Sequence, residues 1–469
     1  MSKFTDRLRQ GLAREHGPTL AHAERPAPGR ARRLRPRVLA GTTLGLVGVG
    51  AAITLALSAQ GGGGRAADAA RTATPSGTSG GRTTGGSQTR GYSPQTLQRA
   101  YGVSALLREG VDGRGETVVL PEAAVPVLFN IRQTMTAFDK RYHLPPVELT
   151  LSRAPGYTGP ISGADSEEVE DAEIVHAIAP GAKITIMLAG LHAFVPQVSA
   201  SLLRAAAGRG NVVSLSYSAC ERCSSDGQLY SLNRALGYAR DRHVSVFAAA
   251  GDDGPDTGGH PAQTRGVTAP TSSPLVTGVG GTTLSVRGDG AYGSESAWDL
   301  DHGQHLSTGA AISATGGGVS ARYARPGYQH GLPVIGNHRG VPDVAAVADP
   351  GIAAVVVRDG HDAIFPGGGT SASAPLWAGI AALADQDAHR QLGFLNDGLY
   401  RIGHSTQYHH AFHDITHGNN TVTFPSGKRL NGYRTRRGWD PVTGWGTPNA
   451  QVLVPLLGKE VHPNDGQGL

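Results

Sequence analysis

The chain has 469 residues, of which 68 are glycine and 17% are charged, and its formal net charge is +5. This length favours one domain of roughly 350 to 400 residues, with terminal segments whose composition differs from that of the domain. Residues 1–37 contain ten Lys or Arg and three acidic residues, whereas the remainder is close to neutral, so the composition gives no indication of a nucleic-acid partner.

The N-terminal 59 residues have the pattern of a membrane-directed segment. Residues 38–59 carry no charge and follow the basic segment 1–37. An apolar run of about 20 residues can span a bilayer as a helix, and its basic side stays in the cytoplasm. We therefore expect a single-pass anchor with the bulk of the chain extracytoplasmic. A secreted protein with a signal peptide cleaved near Ala56-Leu57-Ser58 is the alternative.

Residues 60–91 are rich in Gly, Ser and Thr, which predicts a flexible linker because this composition buries little apolar surface. From residue 92 to residue 459, short β-branched runs alternate with longer helical stretches, and residues 460–469 form a tail. This alternation predicts an α/β fold with a mainly parallel central sheet flanked by helices on both faces.

The clearest predicted elements follow in chain order. Strands are predicted at Thr117–Leu120, Lys183–Leu188, Val212–Ser216, Val244–Ala249 and Ala353–Val357. Helices are predicted at Glu167–Ile178, Pro196–Ala207, Gln228–Asp241 and Ser373–Ala388. Functional residues are expected in the loops at the strand ends, where open α/β sheets place their sites.

The predicted helix at 167–178 is densely acidic. Glu167 and Asp171 are four residues apart and share one helix face, so the two carboxylates can share a proton. The other acids are interpreted as first-turn residues that complement the helix dipole; they are Asp165, Glu168, Glu170 and Glu173. His176 is interpreted as a helix-face residue without a catalytic role.

The only two cysteines, Cys220 and Cys223, are three residues apart. A local disulfide is favoured over a structural metal site, because no second pair is present to complete the ligand set. Two free thiols in a loop remain an open alternative.

Two further segments carry candidate reactive groups. Val246-Phe-Ala-Ala-Ala-Gly-Asp252-Asp-Gly254 runs from a strand into an acid, for which an ordinary Asp-Gly turn is the alternative. Gly367-Gly-Gly-Thr-Ser371-Ala-Ser-Ala-Pro375 places a serine after glycines at a helix start, where free amides can stabilise an anion. A helix N-cap serine is the simpler explanation of that segment taken alone.

Together these segments resemble the sedolisin family of serine-carboxyl peptidases, in its kumamolisin-like branch. The resemblance rests on Gly-Thr-Ser371-Ala-Ser-Ala-Pro, on Glu167-x-x-x-Asp171 before Ala-Pro-Gly-Ala-Lys, and on Ala-Gly-Asp252. It extends over residues 92–457, and the His-Gly-Thr element of a subtilisin is absent. The resemblance implies a subtilisin-like fold and hydrolysis of proteins or peptides at acidic pH.

The resemblance also implies a role for each residue. Ser371 is the expected nucleophile, Glu167 the base, Asp171 its partner and Asp252 a stabiliser of the oxyanion. The family often extends this proton network through another Glu and an aromatic residue. Glu122 and Tyr217 fall near those positions. Asp253 stands where the family usually has serine.

The C-terminal part resembles the family's calcium site. One structural Ca²⁺ is expected, because this ion takes six or more oxygen ligands from carboxylates, carbonyls and water. The expected ligands are the carboxylates of Asp414 and Asp440 and the carbonyls of Ile415, Arg436 and Gly438.

Sedolisins typically carry a long folded pro-region, and here the linker 60–91 directly precedes the resemblance. Three alternatives follow: the domain folds unaided, a pro-region acts in trans, or the domain has lost activity. In the last case it would be a membrane-tethered pseudo-peptidase that binds peptides or proteins.

Overall fold

The computed structural model describes residues 91–469 except 125–129, 160, 162–165, 191–193, 209, 257–263, 301–312, 333–334, 350–351, 359–360, 425 and 468. The predicted basic segment, apolar span and linker, apart from residue 91, lie outside the described residues. Within the described part, no helix is long and apolar enough to cross a membrane.

The ten α-helices of the described part are distributed along the whole domain. They are α1 (Pro94–Ala100), α2 (Val103–Arg108), α3 (Ile131–Tyr142), α4 (Ser166–Ile178), α5 (Phe194–Ala207), α6 (Asp226–Arg240), α7 (Thr370–Asp387), α8 (Asn396–Gly403), α9 (Tyr408–Ala411) and α10 (Ala450–Glu460).

The strands fall into one large sheet and several short pairs. Those of the large sheet are β1 (Thr117–Ala123), β2 (Glu148–Arg153), β3 (Lys183–Ala189), β4 (Val212–Leu215), β6 (Ser245–Ala249), β8 (Thr277–Val286), β9 (Tyr292–Ala297) and β12 (Val344–Val347). The short pairs use β5 (Ala219–Cys220), β7 (Thr268–Ala269), β10 (Gly318–Ala324), β11 (His338–Val341), β13 (Ile352–Arg358), β14 (His361–Gly367), β15 (Phe412–His413), β16 (Val422–Thr423), β17 (Arg429–Leu430) and β18 (Thr447–Pro448).

Seven strands of the large sheet are parallel, in the order β12-β8-β6-β4-β1-β3-β2, and β9 is added antiparallel to β8. The order reverses at β1, with β3 and β2 on one side and β4, β6, β8 and β12 on the other. A parallel sheet opens a crevice at the carboxyl ends of the strands where its order reverses. The predicted fold class is confirmed.

The two faces of the sheet are covered by separate helical layers. One core contains Val118 of β1 with side chains of α4, α7 and α10, and the other contains Val119 with side chains of α5 and α6. Successive strand residues point to opposite faces, so both faces of β1 are buried. The Val- and Ile-rich, non-alternating strands of the sequence follow from this burial.

Four of the five predicted strands correspond to β1, β3, β4 and β6, and the four predicted helices correspond to α4, α5, α6 and α7. The fifth, Ala353–Val357, is a strand but not part of the parallel sheet. It belongs to β13, which pairs antiparallel with β14 in a separate hairpin. A single β-branched run does not show its partner, which here is the next run along the chain.

Candidate active site

Three strand ends meet the start of α7 at the reversal point of the sheet. Glu122 lies in β1, Ser216 directly follows β4, and Asp252 follows β6 after a two-residue connection. Ser371 is the second residue of α7. The sheet topology therefore gathers residues that are up to 249 positions apart in the sequence into one crevice.

The nucleophile candidate occupies the helix start that the glycine run predicts. Gly369 is the N-cap of α7 with φ +87°, and a Cβ at this position would overlap the carboxyl of Asp252. Glycine is required there both for the left-handed backbone and for the close approach. Ser371 is only 3% exposed, and its hydroxyl donates to the Ser216 carbonyl at 3.4 Å. Ser371 is thus not the N-cap of its helix.

Asp252 is held against the residue that precedes the nucleophile. Its Oδ1 accepts hydrogen bonds from the backbone N–H and the hydroxyl of Thr370, both at 2.8 Å. Burial raises the pKa of Asp252 to about 6, although these two hydrogen bonds favour the ionised form. Below that pH Asp252 is neutral, and because both donors use Oδ1, the proton belongs on Oδ2.

The carboxylates of α4 reach the nucleophile segment through a serine. Asp171 is fully buried, and its Oδ2 accepts a hydrogen bond from the Ser216 hydroxyl at 2.6 Å. The same hydroxyl lies 3.3 Å from the carbonyl oxygen of Ser371. Glu167 is also buried, one helical turn before Asp171. Ser216 therefore couples α4 to α7, a role that no sequence pattern indicated.

Glu122 joins the same cluster from β1. It is buried, and the charge of Asp171 acts on its carboxyl. Burial, followed by the charges of Asp171 and Glu168, raises the pKa of Glu122 well above its usual range. Tyr217, the other residue of the expected extension, lines the pocket beside Ser371. The structure thus places both residues next to the predicted site.

Of the acids that were interpreted as first-turn residues, Glu168 lies in the first turn of α4, whereas Glu170 and Glu173 lie beyond it. Asp165 lies outside the described residues. Glu168, Glu170 and Glu173 are all buried, because α1, α3, α7 and the β13–β14 hairpin pack around α4. A signal was available, because the apolar residues of this helix cover its whole circumference, as in a buried helix; they are Val169, Ala172, Ile174 and Val175.

Glu170 has a specific contact that sequence reasoning missed. Its carboxyl accepts a hydrogen bond from the N–H of Gly368 and packs against the backbone of Gly367. Burial, and then the charge of Asp171, raises the pKa of Glu170 well above its usual range. A largely neutral carboxyl thus supports the glycine segment that leads to Ser371.

His176 has a structural environment, as predicted. It is fully buried, and its Nε2 lies 3.1 Å from Asp139 Oδ1 and 2.9 Å from the carbonyl of Pro145. These partners belong to α3 and the loop after it, so His176 links α4 to that helix.

Cys220 and Cys223 form a disulfide, which decides between the alternatives that the sequence left open. Cys220 belongs to β5, which pairs with β7, and the disulfide precedes the capping box of Ser225 and Gln228 at the start of α6. The disulfide therefore closes a short loop at the edge of the crevice.

The residues expected to bind calcium are brought together in the C-terminal loops. Gly438 N–H donates to Asp414 Oδ2 at 3.3 Å, and Arg436 N–H donates to Asp440 Oδ2 at 2.9 Å. Ile415 is buried directly after Asp414.

This arrangement has two features that suit a cation. Asp414 Oδ1 is buried and accepts no hydrogen bond from the described residues, and burial raises the pKa of Asp440 to about 7. A buried carboxylate without a counter-charge is costly, so a bound cation would stabilise both groups. Among the described residues no group of three or more His, Cys, Asp and Glu side chains could hold a metal, and the expected set contains only two carboxylates.

Comparison with known proteins gives both family and fold. A family model described as the subtilase family matches residues 157–396. Kumamolisin from Bacillus sp. (strain MN-32) is 33% identical over 383 residues, which cover 78% of this chain and 63% of that protein. Sedolisin from Pseudomonas sp. (strain 101) is 32% identical over 251 residues, which cover 52% of this chain and 40% of that protein.

A solved structure agrees with these matches. Pseudomonas sedolisin (serine-carboxyl proteinase), complexed with two molecules of pseudo-iodotyrostatin, matches with a TM-score of 0.69 and 25% identity. The match covers 80% of this chain and 99% of the sedolisin chain. The chain spans less than two thirds of the full length of kumamolisin and of sedolisin. The fold, the gathered site residues and these matches show that the chain matches the subtilase family model and belongs to the sedolisin family.

Proposed function

We propose that this protein is a serine-carboxyl endopeptidase that hydrolyses peptide bonds of proteins and peptides at acidic pH through an acyl-enzyme. The observation that carries the proposal is the meeting of Ser371 at the glycine-led start of α7 with two carboxyl systems. Asp171 reaches it through Ser216, and Asp252 reaches it through Thr370. The names of the relatives support the same class of reaction.

In this mechanism Glu167 takes the proton of the Ser371 hydroxyl as Oγ attacks the substrate carbonyl carbon. Asp171 holds Glu167 in place and shares its proton. Neutral Asp252 and the backbone N–H of Ser371 donate hydrogen bonds to the oxyanion. Glu167 then returns the proton to the leaving amine nitrogen, and the Ser371 ester remains.

Hydrolysis of that ester repeats the proton transfers with water as the nucleophile. Glu167 takes a proton from the attacking water, the second oxyanion collapses, and Ser371 Oγ recovers the proton as the new carboxylic acid leaves. The same residues serve both half-reactions, as microscopic reversibility requires.

The acid optimum follows from the coupled buried carboxyls. Burial, followed by the charges of Asp171 and Glu168, raises the pKa of Glu122 well above its usual range, and neighbouring carboxyls of this kind titrate as a group. Asp252 donates a hydrogen bond only while protonated, which its pKa of about 6 allows at low pH. Activity should therefore decline as the pH rises through 6.

Trapping of the acyl-enzyme tests the mechanism. An activated ester substrate mixed at pH 4 and quenched in acid should leave an acyl group on Ser371, located by peptide mass spectrometry. Glu167→Gln should slow its formation on the order of 100-fold or more, because proton transfer by a positioned base contributes a factor of that size. An acyl group on another residue, or unchanged acylation in Glu167→Gln, would contradict the assignment.

We also propose one structural calcium ion held by Asp414 and Asp440 together with the carbonyls of Ile415, Arg436 and Gly438. The ion would join the loop after β15 to the loop before β18 and take no part in the reaction. Calcium should raise the melting temperature through its preference for the folded state, and Asp440→Asn should abolish that rise. Equal melting curves in calcium and in chelator would exclude the site.

For localisation we propose an extracytoplasmic catalytic domain that is anchored through residues 38–59 or secreted after cleavage. Fractionation of cells distinguishes the two forms, since the anchored protein sediments with membranes and the cleaved one is found outside. A protein in the cytosolic fraction would contradict both.

A further inference from the structure

An exposed basic surface lies in the C-terminal loops, on the β16–β17 hairpin and the residues that follow it. Between Asp414 and Asp440 the chain contains five Lys or Arg and no Asp or Glu. All five cations are exposed; they are Lys428, Arg429, Arg434, Arg436 and Arg437. None of the ion pairs formed among the described residues includes any of them. Residues 422–437 are called the basic hairpin below.

The strands of the basic hairpin have one apolar face and one polar face. Val422 pairs with Leu430, and both belong to a small apolar cluster that includes Ala314. Thr423 pairs with Arg429 at the next position of the ladder. Successive residues of a strand point to opposite faces, so Arg429 projects away from the cluster that attaches the hairpin to the domain.

The basic hairpin packs against the loop that carries Asp252. Gly254, two residues further along this loop, has φ +62°, and a Cβ there would lie 2.6 Å from both the Asn420 carbonyl oxygen and Val422 Cγ1. Glycine is required for this backbone conformation and for this close approach. Asp252 itself lines the pocket beside Ser371. The basic hairpin therefore adjoins the wall of the crevice.

From this position we infer that the basic hairpin is an exosite, a surface outside the crevice that binds acidic segments of protein substrates. The inference rests on the proposed peptidase function. A protein substrate continues beyond the crevice on both sides of the cleaved bond, and its Asp and Glu side chains complement the charge of the hairpin. Four of the five cations are arginine, whose planar guanidinium can donate two hydrogen bonds to one carboxylate.

Binding at this surface acts on the capture of the substrate and not on the chemical step. Contacts made away from the reacting atoms stabilise the bound substrate and the transition state equally, so they lower KM and leave kcat unchanged. Substrate carboxylates are ionised above about pH 4, and the proposed activity declines as the pH rises through 6. The exosite should therefore favour acidic substrates between these two pH values.

The test uses peptides that share one cleavable core and differ in the charge of an extension. The extension is a run of glutamates or a run of glutamines, joined to either end of the core by a short Gly-Ser spacer. At one end or both, the glutamate peptide should have a KM on the order of fivefold lower at about pH 5.5 in low salt. The difference should disappear at about pH 3 and in about 0.5 M salt. Equal KM values at both ends would overturn the inference.

Substitutions assign the effect to the basic hairpin. Lys428→Gln with Arg429→Gln should weaken the preference for glutamate, and Lys428→Glu with Arg429→Glu should reverse it in favour of a lysine extension. Lys140→Gln with Arg141→Gln is the matched control, because this exposed Lys-Arg pair lies on α3, which adds no described residue to the pocket beside Ser371. All variants should cleave the core peptide at the wild-type rate, which shows that they fold. A preference unchanged in Lys428→Gln with Arg429→Gln would overturn the inference.

A binding measurement separates this inference from the peptidase proposal. Fluorescence anisotropy of a labelled glutamate peptide with Ser371→Ala at about pH 5.5 needs no turnover. Binding that Lys428→Gln with Arg429→Gln weakens would support the surface even if the wild-type chain cleaved no peptide, a result that would refute the peptidase proposal. Cleavage of the core peptide without any preference for glutamate would overturn the inference and leave the peptidase proposal intact.

Discussion

Replacement of Asp252 gives a quantitative test, because its contacts with Thr370 and its raised pKa predict separate effects. Burial raises the pKa of Asp252 to about 6, so the carboxyl is mostly protonated at pH 4 and mostly ionised at pH 7. If only the neutral acid stabilises the oxyanion, kcat/KM should fall about tenfold per pH unit above 6.

Two substitutions at position 252 distinguish the role of the hydrogen-bond donor from the effect of its titration. Asp252→Ala removes the donor and should lower kcat at pH 4 by a factor of about 100 to 1000. Asp252→Asn places an amide donor there at every pH, so it should retain more activity than Asp252→Ala and lose the decline above pH 6. Stability follows the same titration, since a raised folded-state pKa stabilises the protein at low pH and this contribution is lost as the pH rises through 6.

The assay is kcat/KM for an internally quenched peptide between pH 3 and pH 8. Asp397→Asn is the control, because Asp397 is another acid whose pKa burial raises, but it lies on α8 and bonds to Gly466 N–H. It should leave the pH profile unchanged. An Asp252→Asn profile with the wild-type decline, or an Asp252→Ala rate close to wild type, would refute the assignment of the oxyanion donor.

Substitutions at three other positions test contacts around the site and the core. Ser216→Ala should lower kcat/KM by about 10- to 100-fold, because it removes a hydrogen bond to a buried carboxyl worth about 1.5–3 kcal/mol. Ser214→Ala, in the strand that precedes Ser216, is the control with little expected effect. Glu170→Gln keeps an acceptor for the glycine segment, so its kcat/KM should stay within a few-fold of wild type. Glu170→Ala removes the acceptor and should lower kcat/KM about tenfold. Equal kcat/KM values for the two variants would show that the contact is dispensable. Arg339→Met leaves the fully buried carboxylate of Asp343 without its partner, so it should lower the free energy of unfolding by about 3–5 kcal/mol. Urea titration measures this change, and a loss below about 1 kcal/mol would contradict the prediction.

The sequence predicted the parallel sheet and the positions of its functional loops. The sequence segments of β1, β3, β4 and β6 are continuous and apolar, as burial on both faces requires. The helices between these strands were also predicted. Because parallel strands end at one edge, functional residues were expected in the loops at the strand ends, and Asp252 lies in such a loop. The family resemblance then assigned the roles that spacing alone could not.

The parts that the sequence did not predict depend on tertiary neighbours. The burial of the acids of α4 was not predicted, because the β13–β14 hairpin that covers this helix is distant in the sequence. The bridging role of Ser216 is equally invisible, since one serine after a strand has no characteristic pattern. The departure of Asp253 from the family pattern was visible in the sequence, but its position at the wall of the pocket beside Ser371 was not.

Protein hydrolysis across the pH range tests whether the chain is a serine peptidase that acts in acid. The full chain is incubated with a denatured protein from pH 3 to pH 8 in calcium, beside Ser371→Ala and Ser373→Ala. Ser373 is the matched control, because it is buried in the same segment and its hydroxyl donates to Ala346 and Val347 carbonyls. We predict hydrolysis below pH 6 that survives in Ser373→Ala and is absent in Ser371→Ala. Hydrolysis with a neutral optimum, or hydrolysis retained in Ser371→Ala, would contradict it.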